Sequence, residues 1–160
     1  MNIRGNIEQW LGEVKGDVIS QYNNMGLRAS GQWEQGLETI VTQTDDKYNA
    51  TILGEAYTGV LVSGRKPNKD QDPESLRRWV GWAGSTFLKE WAQRKGVQAS
   101  PFAVAWKIAR EGVKVPNAHN AGGFVTAVIT DARIRDLLNG ISGYMISQVR
   151  SDVIKNIKQN

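Results

Sequence analysis

The first 25 residues carry an apolar stripe with the spacing of a helix, and this stripe constrains the fold more than any other feature of the chain. Its members recur at intervals of four, four, three, four, four and three residues: Ile3, Ile7, Leu11, Val14, Val18, Tyr22 and Met25. Such spacing places every member on one face of an α-helix. Because Gly5, Gly12 and Gly16 each disfavour the helix by about 1 kcal/mol relative to alanine, the stripe must pack against a core. Gly26 is the predicted end of the helix.

A β-hairpin is predicted next. Residues 37–43 and 49–55 are rich in β-branched side chains that partly alternate, and residues 44–47 between them have turn chemistry. A third short piece, extended or turn-like, is expected over residues 57–62. The very polar stretch 63–72 then predicts an exposed loop. These segments together predict a small antiparallel sheet, made of the hairpin plus one or two strands.

Three short helices are predicted in the middle of the chain. Asp72-Pro73 and Ser100-Pro101 each combine a capping side chain with proline at the first helical position, where proline loses no hydrogen bond. The helix between them starts near Ser85, and Gly81 and Gly84 are expected to break or end the helix before it. The predicted inward side chains are, in chain order, Leu76, Trp79, Val80, Ala83, Phe87, Leu88, Trp91, Ala92, Phe102, Ala105, Trp106 and Ala109.

The remainder reads as a loop over residues 113–123, with a short strand as an alternative at its start, and a helix from about 124 to 158. The apolar side chains of this helix keep near-heptad spacing: Ile134, Leu138, Ile141, Met145, Val149, Val153 and Ile157. Such a stripe packs within its own chain or forms a seam with a partner. The predicted fold is therefore a single α+β domain over residues 1–160. Its small antiparallel sheet is packed by an N-terminal amphipathic helix, short middle helices and a long C-terminal helix.

The composition limits which metal sites, disulfides and catalytic groups the chain can contain. The 160 residues include no cysteine and one histidine, His119, which excludes disulfides, thiolate metal sites and two-histidine metal sites. The loop Gly64-Arg65-Lys66-Pro67 lacks the spacing of a P-loop, and no GxSxG motif supplies a nucleophile. Turn and capping roles account for the acidic side chains that lie close together: Asp45, Asp46, Asp70 and Asp72. We expect a chain that is not an enzyme and needs no cofactor or metal.

Targeting signals are not apparent. No apolar run approaches the roughly 20 residues that span a bilayer. The first ten residues contain no apolar stretch typical of a secretory signal. We therefore expect a chain made in the cytosol, with no membrane segment.

Charge is unevenly distributed. Residues 1–63 hold four Lys or Arg against eight Asp or Glu, residues 64–120 hold eleven against five, and residues 121–160 hold five against three. An acidic first third and a basic middle are typical of a protein with oppositely charged faces. Chance scatter of solvated side chains is the alternative.

Tryptophan is abundant, with six in the chain. Trp82 lies off the main face of its predicted helix, a position typical of an interface between chains. Trp79 and Trp82 beside Arg77 and Arg78 are also a pattern that stacks on exposed nucleotides. Two interpretations therefore stay open for this region: a surface between protein chains and a nucleic-acid contact.

The order of motifs resembles one known family. A β-hairpin is followed by Tyr57 and the loop Ser63-Gly64-Arg65-Lys66-Pro67, then by Leu76-Arg77-Arg78-Trp79-Val80, by Lys95-Gly96, and by Ala105-Trp106-Lys107-Ile108-Ala109-Arg110-Glu111-Gly112. A long C-terminal helix closes the series. This arrangement, over roughly residues 35–155, resembles the neck or tail-completion proteins of tailed bacteriophages. The tryptophan-rich and glycine-rich composition and the segment 113–123 depart from the family pattern.

The resemblance implies a structural virion protein rather than an enzyme. Members of the family assemble into closed rings between the portal-side connector and the tail, around the channel through which DNA leaves. It implies copies of the same chain in a six- or twelve-fold ring, neighbouring connector and tail proteins, viral DNA passing through the channel, and no membrane. We expect the interface or channel-facing residues to be Arg65, Lys66, Lys69, Arg77, Arg78, Trp82, Arg150, Lys155 and Lys158. The alternative is a basic, tryptophan-rich nucleic-acid-binding module.

Overall fold

The computed structural model describes residues 2–45 and 47–158. Its elements follow in the order α1 (Ile3–Asn24), α2 (Gln32–Gln35), β1 (Glu38–Thr44), β2 (Lys47–Leu53), α3 (Thr58–Ser63), α4 (Pro73–Ser85), α5 (Phe87–Lys95), α6 (Pro101–Glu111) and α7 (Asp131–Lys158). The predicted α+β class is confirmed: a two-stranded antiparallel sheet is combined with helices, the last of which is long.

The predicted N-terminal helix is confirmed as α1. Five members of its stripe are buried: Ile7, Leu11, Val14, Val18 and Tyr22. The helix ends as predicted, since the backbone N–H groups of Gly26 and Leu27 donate to the carbonyls of Asn23 and Tyr22. These two bonds satisfy carbonyls that the helix end leaves free.

The hairpin is also confirmed, with Val41 opposite Ala50 and Thr44 opposite Lys47. Alternation sets its two faces. Val41 on the inner face is buried, whereas Ile40 and Leu53 on the outer face are 40% and 46% exposed.

Of the two alternatives for the third piece, the extended one is wrong, because residues 58–63 form the short helix α3. The chain turns before it, where the N–H of Thr58 donates to the carbonyl of Glu55 over 2.8 Å. The Ser63 hydroxyl then donates to the carbonyl of Gly59 over 2.9 Å. A run as short and apolar as Val60-Leu61-Val62 has no periodicity that separates a strand from a helical turn.

The chain packs as two compact units. The first combines most of α1 with the hairpin, α7 and the residues just before α7; the second comprises residues 21–37 and 54–124. That the whole chain forms a single domain stays a prediction. In the first unit Ile7, Leu11 and Val41 form a core, with partly buried side chains around it: Ile3, Trp10, Tyr48, Ile52 and Ile141.

In the second unit, α4, α5 and α6 pack around one apolar cluster. Its buried members are Leu76, Val80, Ala83, Leu88, Ala105 and Ala109. Asp72 caps α4 as predicted, since its carboxylate accepts from the N–H groups of Glu74 and Ser75 over 3.0 and 3.1 Å. Gly81 and Gly84 do not end α4, which continues to Ser85.

Three side chains that were predicted to point inward are instead exposed: Phe87 (49%), Trp91 (37%) and Phe102 (48%). In α5 the pairs Phe87/Trp91 and Leu88/Ala92 have the same helical spacing, and only the second pair is buried. Phe102 lies on the surface against Gly84, where a Cβ atom would come within 2.6 Å of its ring. The absence of a side chain at Gly84 is what leaves room for that ring.

An aromatic cluster forms another part of the second unit. The rings of Tyr22 and Trp33 lie 4.1 Å apart between centroids, and each contacts Phe124 edge-on at 5.8 and 5.7 Å. The indole N–H of Trp33 donates to the Thr58 hydroxyl over 3.0 Å, so the buried ring has its polar group satisfied. Burial raises the pKa of Tyr22 to about 12.

Two distant segments of the second unit are joined by a backbone clasp, formed by Gly64-Arg65 and Gly112-Val113. Arg65 and Val113 exchange two backbone hydrogen bonds of 2.7 Å. Gly64 and Gly112 have φ of 81° and 75°, and a Cβ at either would overlap the carbonyl oxygen of Val113 or Arg65. Both positions therefore require glycine.

Gly64→Ala and Gly112→Ala are each expected to lower the free energy of unfolding by about 2 kcal/mol or more, because each adds a backbone clash to a strained φ. Gly81→Ala is the matched control, since its methyl group meets no atom within 4 Å. It is expected to raise the free energy of unfolding by about 1 kcal/mol. Chemical denaturation measures all three, and equal effects at Gly64 and Gly81 would contradict the clasp.

Candidate interaction surface

The clasp fixes the start of the loop 63–72, which was predicted to be simply exposed. Beyond Arg65, the N–H of Asn68 donates to the carbonyl of Ala109 over 2.8 Å, and the Gln71 amide donates to the same carbonyl over 3.1 Å. These bonds satisfy a carbonyl in the last turn of α6. The loop is therefore held against α6, and Arg65 and Asn68 are half-buried rather than free in solvent.

The Arg65 guanidinium is held in place by two contacts. One of its nitrogens, Nη2, donates to the Asn68 Oδ1 over 2.5 Å. Its Cζ lies 4.4 Å from the centroid of the Trp79 ring, a distance at which a cation is attracted to the aromatic face. Trp79 is itself half-buried against the α4–α6 cluster, so the core of this unit supports the ring.

This guanidinium carries a charge that the described residues do not balance. Its Nη1 atom is buried and has no hydrogen-bond partner within the described part of the chain. Burial lowers the pKa of Arg65, although an arginine stays charged at any physiological pH. The unpartnered donor costs free energy, and the unbalanced charge of the half-buried guanidinium favours an anion beside it.

An open depression of about 600 Å³ lies beside Arg65. It is lined in addition by Lys66, Lys69, Asp70, Ser75 and Trp79. The Ser75 hydroxyl and then the Asp72 N–H lower the pKa of Asp70 by hydrogen bonding. Three cations and one carboxylate line the depression, so its net charge is positive.

Neither of the two predicted α4 arginines is among the residues that line this depression. Arg78 lies next to one of them, because a nitrogen of Arg78 is 3.4 Å from the hydroxyl of Ser75, one helical turn before it. Arg77 is exposed on α4 as well.

A row of aromatic rings continues from Trp79 along the surface. Trp82 contacts Trp79 edge-on, with centroids 6.5 Å apart, and contacts Phe87 in the same manner at 5.5 Å. Trp82 is 58% exposed, which confirms its predicted position off the buried face of its helix. We call the resulting patch the basic aromatic surface; it comprises Arg65, Lys66, Lys69, Arg78, Trp82 and Phe87.

The remaining predicted residues lie on α7. Arg150 is exposed, whereas the side chains of Lys155 and Lys158 lie outside the described residues. The stripe on this helix is only partly covered: Ile141 packs against the core of the first unit, but Leu138 and Met145 are 54% and 50% exposed.

Sequence reasoning missed two parts of the surface. Phe87 was expected to point inward, and no local pattern distinguishes its face of α5 from that of Leu88. The contact between Arg65 and Val113 joins residues far apart in the chain, and the only signals for it are the glycines that precede them.

Other kinds of site find little support in the described ranges 2–45 and 47–158. No group of acidic, histidine or cysteine residues there is placed to hold a metal ion. His119 is exposed, as expected. None of the described helices combines the length and the apolar character that crossing a membrane requires.

Comparison with protein-family models, with curated proteins and with solved structures finds no significant match to this chain. The family resemblance drawn from the motif order therefore stays a prediction.

Asn68→Ala is expected to lower the free energy of unfolding by about 1–3 kcal/mol, since it leaves a second guanidinium nitrogen without an acceptor. The N–H of residue 68 is retained, so its bond to Ala109 survives. In an Arg65→Met background the same change should cost much less, because the charged group has been removed. Urea unfolding of the four variants measures this coupling, and equal losses in both backgrounds would contradict it.

Proposed function

We propose that this chain is a structural component of a tailed-bacteriophage virion and forms an oligomeric ring in the neck or upper tail. The ring would join head to tail around the DNA channel, with connector and tail proteins as its neighbours. In this proposal the chain is not an enzyme, and its role is to pack against copies of itself in the ring.

The observation that carries the proposal is the number of large apolar side chains left in water. Monomeric proteins expose single apolar residues, whereas clustered ones mark surfaces that another protein covers. Both compact units carry such side chains: Trp82, Phe87, Trp91 and Phe102 in the second, and Ile134, Leu138, Met145 and Ile146 on α7. A ring subunit would bury them against its neighbours.

The backbone clasp also supports the resemblance on which the ring rests. The motif loop Gly64-Arg65-Lys66-Pro67 and the end of the motif helix at Gly112 are far apart in the chain but are joined through Arg65 and Val113. Two motifs recognised separately thus belong to one piece of structure. If the two motifs occurred in this chain by chance, there would be no reason for them to be in contact in the structure.

The basic residues are assigned to interfaces or to the channel wall in this proposal. Arg65, Lys66, Lys69, Arg77, Arg78, Arg150, Lys155 and Lys158 would take these roles together with Trp82. The net charge of only +4 suits a channel that DNA must leave. A strongly cationic wall would hold the phosphates and slow the passage of DNA.

A nucleic-acid-binding module is the second candidate, and the positive depression beside Arg65 favours it. One feature weighs against it: the Arg65 guanidinium already covers a face of Trp79, which leaves Trp82 as the more accessible indole for stacking on a base.

Negative-stain electron microscopy and sedimentation velocity test the ring. The purified chain, alone or mixed with head or tail fractions of virions, is expected to form closed rings of six- or twelve-fold symmetry. The chain should also be detected as a band in intact particles. A chain that stays monomeric under all these conditions would rule out the proposal.

Fluorescence anisotropy with single-stranded DNA separates the two candidates. A nucleic-acid module binds DNA at low salt, and its affinity falls with a logarithmic slope of roughly −0.7 per phosphate contacted. A ring subunit is expected to bind weakly at low salt and negligibly at physiological salt. Tight, steeply salt-dependent binding by the monomer would instead favour the module.

A further inference from the structure

We infer that the basic aromatic surface of one copy binds the outer face of the β-hairpin of a second copy. This inference rests on the proposed function, and it names the two surfaces that meet when copies associate. The contact is heterologous, because each copy contributes a different surface to its two neighbours, and such contacts close into rings when the rotation allows.

The basic aromatic surface has the composition of a protein-binding site. Exposed Trp82 and Phe87 lie beside Arg78 and the anchored Arg65, and tryptophan and arginine are the residues that dominate the binding energy of interfaces. The rings meet edge to face, and the guanidinium of Arg65 covers Trp79. That arrangement favours apolar side chains and carboxylates over a stack of bases.

The outer face of the hairpin offers the complementary chemistry. Ile40 and Leu53 are 40% and 46% exposed on this face, and Glu38 lies directly opposite Leu53 in the register. Asp45 follows at the turn, and Lys47 is the one cation of the two strands. The apolar side chains Ile40 and Leu53 with Glu38 beside them, at the open end of the hairpin, match aromatic rings that have cations beside them.

The charge balance of the chain points to a second copy as the occupant. Residues 1–63, which include the hairpin, carry four more acidic than basic side chains, whereas residues 64–120, which include the basic aromatic surface, carry six more basic ones. A carboxylate from the hairpin would also balance the charge of the half-buried Arg65 guanidinium at the edge of the depression.

Mixing two defective variants tests the inference. The first, Arg78→Glu with Trp82→Ala, changes the basic aromatic surface, and the second, Glu38→Lys with Ile40→Thr, changes the hairpin. Each alone should lose association by roughly 30-fold or more, the loss typical of a hot-spot side chain. Their mixture should form a dimer with one copy of each, because one intact contact remains between them. Sedimentation velocity measures the product, and circular dichroism verifies that both variants fold.

Cysteine cross-linking supplies a second measurement, since the chain has no cysteine of its own. Ile40→Cys in one copy and Phe87→Cys in another should form a disulfide-linked dimer on mild oxidation. Lys107→Cys is the matched control for Phe87→Cys, because Lys107 is exposed on α6 opposite the buried Ala105. Equal cross-linking of Ile40→Cys to either partner would overturn the inference.

The outcomes separate this inference from the ring itself. If the wild-type chain forms rings and both surface variants assemble normally, the named contact is wrong and the ring stands. If the wild-type chain stays monomeric with virion fractions, the ring fails, and cross-linking still decides the contact. If the first variant assembles normally but loses binding to single-stranded DNA, the basic aromatic surface is a nucleic-acid site and the inference is overturned.

Discussion

The backbone pair between Arg65 and Val113 is the interaction on which the second unit and its surface depend. It holds the loop 63–72 against the end of α6, and the loop in turn places Arg65 over Trp79. Glycine on the N-terminal side of each partner allows the two main chains to approach so closely. The main-chain geometry of this pair therefore positions the charged side chain of Arg65. Substitution of other surface side chains would leave that backbone pair intact.

The same arrangement underlies the proposal that this surface binds a partner. A solvated arginine satisfies all its donors with water, but the fixed guanidinium of Arg65 leaves one nitrogen buried and unpaired among the described residues. Beside it, Trp82 and Phe87 keep large apolar areas in water. A protein surface that carries aliphatic groups would cover these rings, and carboxylates on it would balance the charge of the guanidinium.

Much of the fold could be predicted because its signals are local. The α1 stripe, the Asp72-Pro73 start of α4 and the β-branched hairpin each express a period or a cap within a few residues. The prediction of structure failed where local patterns are ambiguous. Residues 58–63 are too short to show a period, and the pair Phe87/Trp91 has the same helical spacing as the buried pair Leu88/Ala92. Of the predicted surface, Arg65, Lys66 and Lys69 line one depression. Arg78 and Trp82 contact residues of its lining, Ser75 and Trp79, and Arg77 has no such contact among the described residues. The clasp that unites them is non-local, and no pattern within one segment encodes it.

The clasp has one topological consequence. Because Arg65 and Val113 are neighbours, the three helices between them, α4, α5 and α6, form an excursion of the chain that leaves and returns at one point. These three helices pack mainly against one another. The backbone pair of Arg65 and Val113 closes the loop that contains them, so the entropy cost of closing that loop arises at this one contact. The segment between Arg65 and Val113 is therefore a candidate for grafting into another scaffold or for circular permutation across the clasp.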